Sequence, residues 1–214
     1  MTPAALLLVL LIGCAQMPAP AAEALREGAP DGFAEAQRRD LAPTGTRVLR
    51  AGRPLADFWF RSAVPTADPR RGPGIHYGSL VPGSRVGAVR VYEGASDFKG
   101  QKIAPGLYTL RYAVQPDDGD HQDVTESRDF LLLCEAAADA TPGDLDEKTL
   151  RAISARINGK KHPSVLYLTG GKGGPRPCVV TQSSPEKIVL ELEVSTSGGR
   201  TLVLAIVVDG KAEE

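Results

Sequence analysis

The densest group of polar side chains that could do chemistry lies in Asp117–Asp123, which reads Asp-Asp-Gly-Asp-His-Gln-Asp. Carboxylate oxygens are the ligands that Ca²⁺ prefers, and a histidine beside carboxylates suits a transition metal. The order departs from the EF-hand loop, which needs alternating oxygen ligands, then a glycine and a distant glutamate. Aspartate and glycine also dominate ordinary solvated turns. Asp118, Asp120 and His121 are therefore candidate metal ligands, and a solvated acidic turn is the competing interpretation.

Other side chains offer little material for catalysis. His76 or His162 would complete a transition-metal site only if the chain folded them close to His121. Serine nucleophiles need a histidine base, and no Gly-x-Ser-x-Gly elbow surrounds Ser183 or Ser184. The glycine-rich loop at 170–174 lacks the Gly-Lys-Ser/Thr ending of a phosphate-binding loop. The sequence predicts no catalytic residues and no obligatory cofactor, and it favours a non-enzymatic protein.

The first residues are typical of an export signal. Ala4–Ile12 is an uncharged apolar run that would span about 14 Å as a helix, too short to cross a bilayer. It leads into Leu-Ile-Gly-Cys at 11–14, which resembles the lipobox of bacterial lipoproteins. The resemblance implies cleavage after residue 13 and a lipid anchor on Cys14. An Asp directly after that cysteine would favour retention in the inner membrane. Because Ala15 stands there instead, the resemblance implies placement at the outer membrane or in the periplasm. The alternatives are an ordinary secretion signal cleaved near 18–22 and a buried apolar helix without export.

The remaining cysteines fit an oxidising compartment. Three cysteines occur in the chain, and setting Cys14 aside leaves Cys134 and Cys178 as an even pair that a disulfide could join. Two buried free thiols are the alternative. No two cysteines are closely spaced, which disfavours zinc sites and thioredoxin-like redox chemistry.

Charge and length limit the remaining possibilities. With 25 basic and 26 acidic residues, the net charge of -1 offers no general attraction for nucleic acid. After a signal peptide at 1–13, about 200 residues suffice for one β domain. The Ala- and Pro-rich composition of 14–44 predicts a flexible tether that holds a domain at 45–210 away from a membrane, followed by a short tail at 211–214.

Short β segments separated by Gly and Pro occupy most of the predicted domain. The clearest is Gly106–Val114, where apolar and polar side chains alternate. The Gly-containing link at 196–199 predicts a hairpin, and the strand that follows it should be central because both its faces are apolar. The other predicted strands are Leu55–Arg61, Arg85–Tyr92, Asp129–Cys134, Ser164–Leu168, Cys178–Gln182, Lys187–Ser195 and Arg200–Val208.

One helix interrupts the β pattern. Asp144 with Glu147 resembles a capping box, and Asn158 with Gly159 supplies a stop signal, which predicts a helix over 144–158. About nine strands without regular strand-helix alternation favour an antiparallel two-layer β-sandwich. Six aromatic residues could form a sugar-stacking platform, although aromatics at this spacing favour the core. They are Trp59, Tyr77, Tyr92, Tyr108, Tyr112 and Tyr167.

About a third of the chain resembles a family of uncharacterised exported bacterial proteins. The residues that carry the resemblance are Asp97–Gln101, Pro105–Tyr112, Gln115, Pro116, Asp118, Gly119, His121 and Asp129–Leu132. Their Pro-Gly-x-Tyr-Thr-Leu core also occurs in β-sandwich adhesion and transthyretin-like modules. The resemblance implies no known reaction. We therefore expect a non-enzymatic envelope module that is anchored to the membrane by its lipid and binds a partner protein or an envelope glycan. The alternative is a metal-binding protein or metal-dependent enzyme that uses the acidic loop.

Overall fold

The computed structural model describes residues 18–115, 127–140, 143–157, 163–171, 175–183 and 186–210. The described chain is mainly β, with ten strands and two short helices. The elements are β1 (Ala21–Leu25), α1 (Glu35–Arg38), β2 (Gly45–Arg50), β3 (Arg53–Phe60), β4 (Arg85–Val91), β5 (Gly106–Val114), β6 (Asp129–Glu135), α2 (Glu147–Ala155), β7 (Val165–Thr169), β8 (Cys178–Ser183), β9 (Glu186–Ser195) and β10 (Thr201–Gly210). No helix in these ranges is long and apolar enough to cross a membrane.

All ten strands belong to one antiparallel sheet, in the order β1-β2-β3-β4-β5-β6-β7-β10-β9-β8. The two edge strands, β1 and β8, contact each other, so the sheet curls into a nearly closed, barrel-like form. Its inner face encloses one apolar core to which strands from β2 to β10 contribute. The predicted mainly β class is confirmed, but the two-layer sandwich with about nine strands is wrong. A curled sheet buries alternate residues just as a sandwich does, so the alternation alone cannot distinguish them.

Several strand predictions are confirmed. Residues Gly106–Val114 form β5 with the expected bounds. The β9–β10 hairpin turns at Gly199, which has a φ of 72° that favours glycine. Strand β10 pairs with β7 on one side and β9 on the other, which gives it the expected central position.

The N-terminal segment is part of the fold rather than a tether. Strand β1 pairs with β2 along its whole length. Phe33 and Leu41 are buried against Trp59 on the outer face of the sheet. The side-chain amide of Gln37 donates hydrogen bonds to the backbone oxygens of Ala136 at 2.8 Å and Asp139 at 2.6 Å. The expectation of a flexible tether therefore fails for residues 18–44, because their apolar side chains cover the outer face of β3 and β4.

Helix α2 covers another part of the outer face. Leu150 packs against Leu132 and Cys134 of β6. The helix begins after Asp146, whose carboxylate accepts the backbone N–H of Thr149 at 3.0 Å. The predicted helix is confirmed, but it is shorter than 144–158 and its N-cap is Asp146 instead of Asp144. Both carboxylates lie near the first turn, and only the local backbone conformation selects between them.

Candidate functional site

The residues predicted from sequence to bind metal or lipid lie outside the described ranges. These are Cys14, Asp118, Asp120 and His121, and His162 lies outside them as well. Within the described ranges, no three His, Cys, Asp or Glu side chains come together as a metal site. His76 is exposed, and its backbone N–H donates to the Asp129 carboxylate at 2.6 Å. Metal binding by the acidic loop stays a prediction, which calorimetry with calcium and zinc chlorides would test.

The two later cysteines are not bonded to each other. Both are free thiols: Cys134 is buried on β6, and Cys178 is half-buried at the start of β8. Strands β7, β10 and β9 lie between them in the sheet. Each strand adds about 4.8 Å, whereas a disulfide needs Cα atoms within about 7 Å. Burial raises the pKa of the Cys134 thiol to about 12, so this thiol stays protonated at neutral pH.

The aromatic residues belong to the core, as their spacing favours. Five of the six are buried, and only Tyr92 is partly exposed. The Tyr92 hydroxyl donates to the Asp57 carboxylate at 2.8 Å, and that carboxylate also binds Arg47. The aromatic set therefore presents no continuous stacking surface.

A groove on the outer face of the sheet is a candidate binding site. The groove has a volume of about 250 Å³ and lies where α2 and the loop 97–101 face each other across β5, β6 and β7. We call it the outer groove. Its apolar floor and walls comprise Phe98, Ala113, Val114, Phe130, Leu132, Pro163 and Val165, and its polar rim comprises Asp97, Lys99, Gln101, Gln115, Glu147 and Arg151.

Local hydrogen bonds hold the loop 97–101 in place. The Asp97 carboxylate accepts the backbone N–H groups of Lys99 and Gln101, both at 2.9 Å. Gly100 adopts a φ of 75°, which allows the tight turn between them. Phe98 then packs its ring against Phe130 at 6.1 Å between centroids. The loop therefore fixes an aromatic wall and presents Lys99 beside it.

Among the described residues, one cation at the rim of the outer groove has no carboxylate partner. Arg151 binds Glu147 at 2.6 Å across one turn of α2, and Asp97 is engaged by its own loop. The Lys99 ammonium lies 5.5 Å from the centroid of the Phe98 ring, a cation–π contact. No carboxylate of the described residues forms an ion pair with Lys99. The groove thus combines an apolar floor with a positive charge at its rim.

Buried hydrogen bonds support the sheet on either side of the outer groove. The Asp129 carboxylate accepts the Tyr112 hydroxyl at 2.5 Å and two backbone N–H groups of the loop before Leu80. Burial first, and then this carboxylate, raise the pKa of Tyr112, so its phenol remains a donor. Arg111 binds Asp139 through two bonds of 2.7 Å, and both side chains are fully buried. These buried groups hold β5 and β6 in position, and a ligand in the groove cannot reach them.

Sequence reasoning missed the outer groove because its residues come from five separate segments. Two lining residues are close in sequence to the predicted metal ligands, since Gln115 lies two residues before Asp117 and Pro163 directly follows His162. Phe98 and Lys99 belong to a segment on which the family resemblance rests. Only the tertiary fold places them across the groove from α2. Comparison of this chain with protein-family models, curated proteins and solved structures finds no match.

Proposed function

We propose that the protein is a non-enzymatic binding module of the bacterial cell envelope, and that the outer groove is its recognition site. The observation that carries the proposal is the apolar floor beside Lys99, which forms no ion pair with a described residue. Binding sites are concave and largely apolar, with a few polar groups that orient the ligand. The groove has that composition.

The size and charge of the outer groove favour a segment of a partner protein over a larger small molecule. Its volume of about 250 Å³ lies below the 300–1,000 Å³ that is common for small-molecule pockets. One large apolar side chain suits such a space. An acidic residue next to that side chain would reach Lys99 at the rim. The proposed ligand is therefore an exposed peptide segment in which an aliphatic or aromatic residue adjoins Asp or Glu.

Selection from a displayed random peptide library tests this proposal. We expect the selected peptides to combine an apolar residue with an adjacent acidic residue. Ala113→Phe fills the groove and should weaken their binding at least tenfold, and Lys99→Glu should weaken it several-fold because it reverses the rim charge. Lys102→Glu is the matched control, since Lys102 is exposed in the same region and does not line the groove. Selected peptides that bind Ala113→Phe as tightly as the wild type would contradict the proposal.

Placement at the envelope rests on Cys14 as the lipid acceptor. Fractionation of cells that express the full chain should recover it with membranes, and Cys14→Ala should release it into the soluble fraction. A Cys14→Ala chain that stays firmly bound to membranes would remove the lipid anchor from the proposal. The peptide measurements are independent of this result.

A further inference from the structure

A second cavity opens where the curled sheet is nearly closed. It has a volume of about 280 Å³ and lies between β9 and the adjoining parts of β2 and β3. We call it the seam cavity, and it shares no lining residue with the outer groove. Its apolar base is formed by side chains of the inner core, namely Phe58, Phe60, Leu192 and Val194. Its polar rim contains four hydroxyl residues and three charged ones, which are Thr44, Thr46, Ser62, Ser195, Arg61, Arg176 and Glu193.

Arg61 lies on this rim and shares its carboxylate partner with a second arginine. Its Nη2 lies 3.5 Å from the Asp40 carboxylate, and the same carboxylate oxygen lies 3.2 Å from Nη2 of the buried Arg85. One carboxylate therefore serves two guanidinium groups. The Arg61 Nε is also buried, and it has no hydrogen-bond partner among the described residues. A buried donor that remains unpaired destabilises the fold, so a ligand oxygen that accepts this N–H would bind favourably.

Arg176 shows the same incomplete pairing from the other side of the cavity. Its Nη atoms lie 3.6 Å from Glu191 and 3.7 Å from Glu193, whereas charge-assisted hydrogen bonds measure about 2.7–2.9 Å. The Arg176 Nε is buried without a hydrogen-bond partner in the described part of the chain. The Glu193 side chain is 56% exposed, so it can turn away from the guanidinium into solvent.

We propose that the seam cavity binds an oxyanion, a phosphate or carboxylate group, through Arg61 and Arg176. A planar guanidinium presents paired donors that match the oxygens of either group. Four hydroxyl residues on the rim add neutral donors around the same space. This site is separate from the proposed peptide site and does not depend on it.

NMR titration of the full chain with inorganic phosphate, and separately with acetate, tests the proposal at constant ionic strength. We expect saturable shifts of the Nε–H signals of Arg61 and Arg176 and of the backbone N–H signals of Thr46, Ser62 and Ser195. The titration that saturates at the lower concentration identifies the preferred oxyanion. Shifts that fail to saturate with both anions would overturn the site.

Variants separate specific binding from general attraction. Arg61→Gln and Arg176→Gln should each weaken binding by about tenfold or more, because each removes a charge-assisted bond. Arg53→Gln is the matched control, since Arg53 is exposed at the opposite end of β3. Equal binding by all three variants would overturn the proposal.

Glu193→Gln tests the site without removing either arginine. Its exposed carboxylate competes with a bound anion for Arg176, so its neutralisation should tighten anion binding several-fold. This variant keeps the proposal testable if an arginine variant fails to fold. Weaker or unchanged anion binding by a folded Glu193→Gln protein would contradict the assignment of Arg176.

Discussion

At the scale of single residues, the buried phenol of Tyr77 links the inner core to the sheet. Its hydroxyl donates to the Thr169 backbone oxygen at 2.7 Å and accepts the Ala205 N–H at 3.0 Å. Burial is the main cause that raises the pKa of Tyr77 to about 12. A phenol whose pKa is higher in the folded state than the unfolded value of about 10 stabilises the fold fully below pH 10. That contribution is lost as the pH rises from 10 to 12.

Tyr77→Phe should therefore change both stability and its pH dependence. At pH 7 the free energy of unfolding should fall by about 1–3 kcal/mol, because the partly buried Thr169 carbonyl and the buried Ala205 N–H lose their partner. Between pH 10 and 12, it should fall less steeply with pH than in the wild type. Urea denaturation across this range measures both effects, and parallel pH profiles for the two proteins would contradict the role given to Tyr77.

The cysteines give a second prediction at this scale. Iodoacetamide at pH 8 should label half-buried Cys178 in the native protein and Cys134 only after unfolding, because burial keeps the Cys134 thiol protonated. Peptide mass spectrometry distinguishes the two sites. A Cys134–Cys178 cross-linked peptide from an unreduced digest would restore the disulfide that the sequence suggested.

At the scale of elements, alternation predicted strands well where one face meets the core. It gave β5 and the β9–β10 hairpin, but it did not identify β1, whose Ala-Ala-Glu-Ala-Leu sequence lacks β-branched residues. Pairing with β2 imposes the strand there. Alternation along β9 puts Glu191 and Glu193 on the outer face and predicts that both are exposed, yet Glu191 is buried beside Arg176. Local patterns define the faces of a strand and do not show what covers the outer one.

The start of α2 offers a direct comparison between two adjacent acidic candidates. Asp146→Ala should lower the melting temperature, because its carboxylate caps the Thr149 N–H and accepts the Thr149 hydroxyl at 2.6 Å. Asp144→Ala should leave the melting temperature nearly unchanged, since Asp144 is exposed and precedes the cap. The capping hydrogen bonds lower the pKa of Asp146, so the difference between the variants should disappear at low pH. Thermal unfolding followed by circular dichroism checks all three expectations, and a larger effect of Asp144→Ala would contradict the observed cap.

At the scale of the whole molecule, the N-terminal segment determines how much of the chain forms the domain. Phe33→Ala should lower the free energy of unfolding by about 3 kcal/mol, because Phe33 is buried against Trp59 and Ala88 on the outer face. Glu35→Ala is the control, since Glu35 is exposed in the same segment. Equal stability of the two variants in urea would support the tether that the sequence predicted.

The mainly β class and most strands could be predicted from the sequence, whereas the curled sheet and both cavities could not. The outer groove joins Phe98 to Leu132 and Arg151, and the seam cavity joins Arg61 to Arg176. The residues of each set are far apart in the sequence and come together only when the strands pair in the folded sheet. Composition predicted the tether at 14–44 from its alanines and prolines, but three buried side chains decide its packing, namely Phe33, Gln37 and Leu41.

The position of β10 in the sheet determines when the protein can complete its fold. This strand is the last of the described strands to leave the ribosome, yet it alone joins β7 to the β8–β9 pair. Before its synthesis, the first seven strands and the β8–β9 pair have no ladder in common. A nascent chain therefore cannot complete the sheet until β10 has been synthesised.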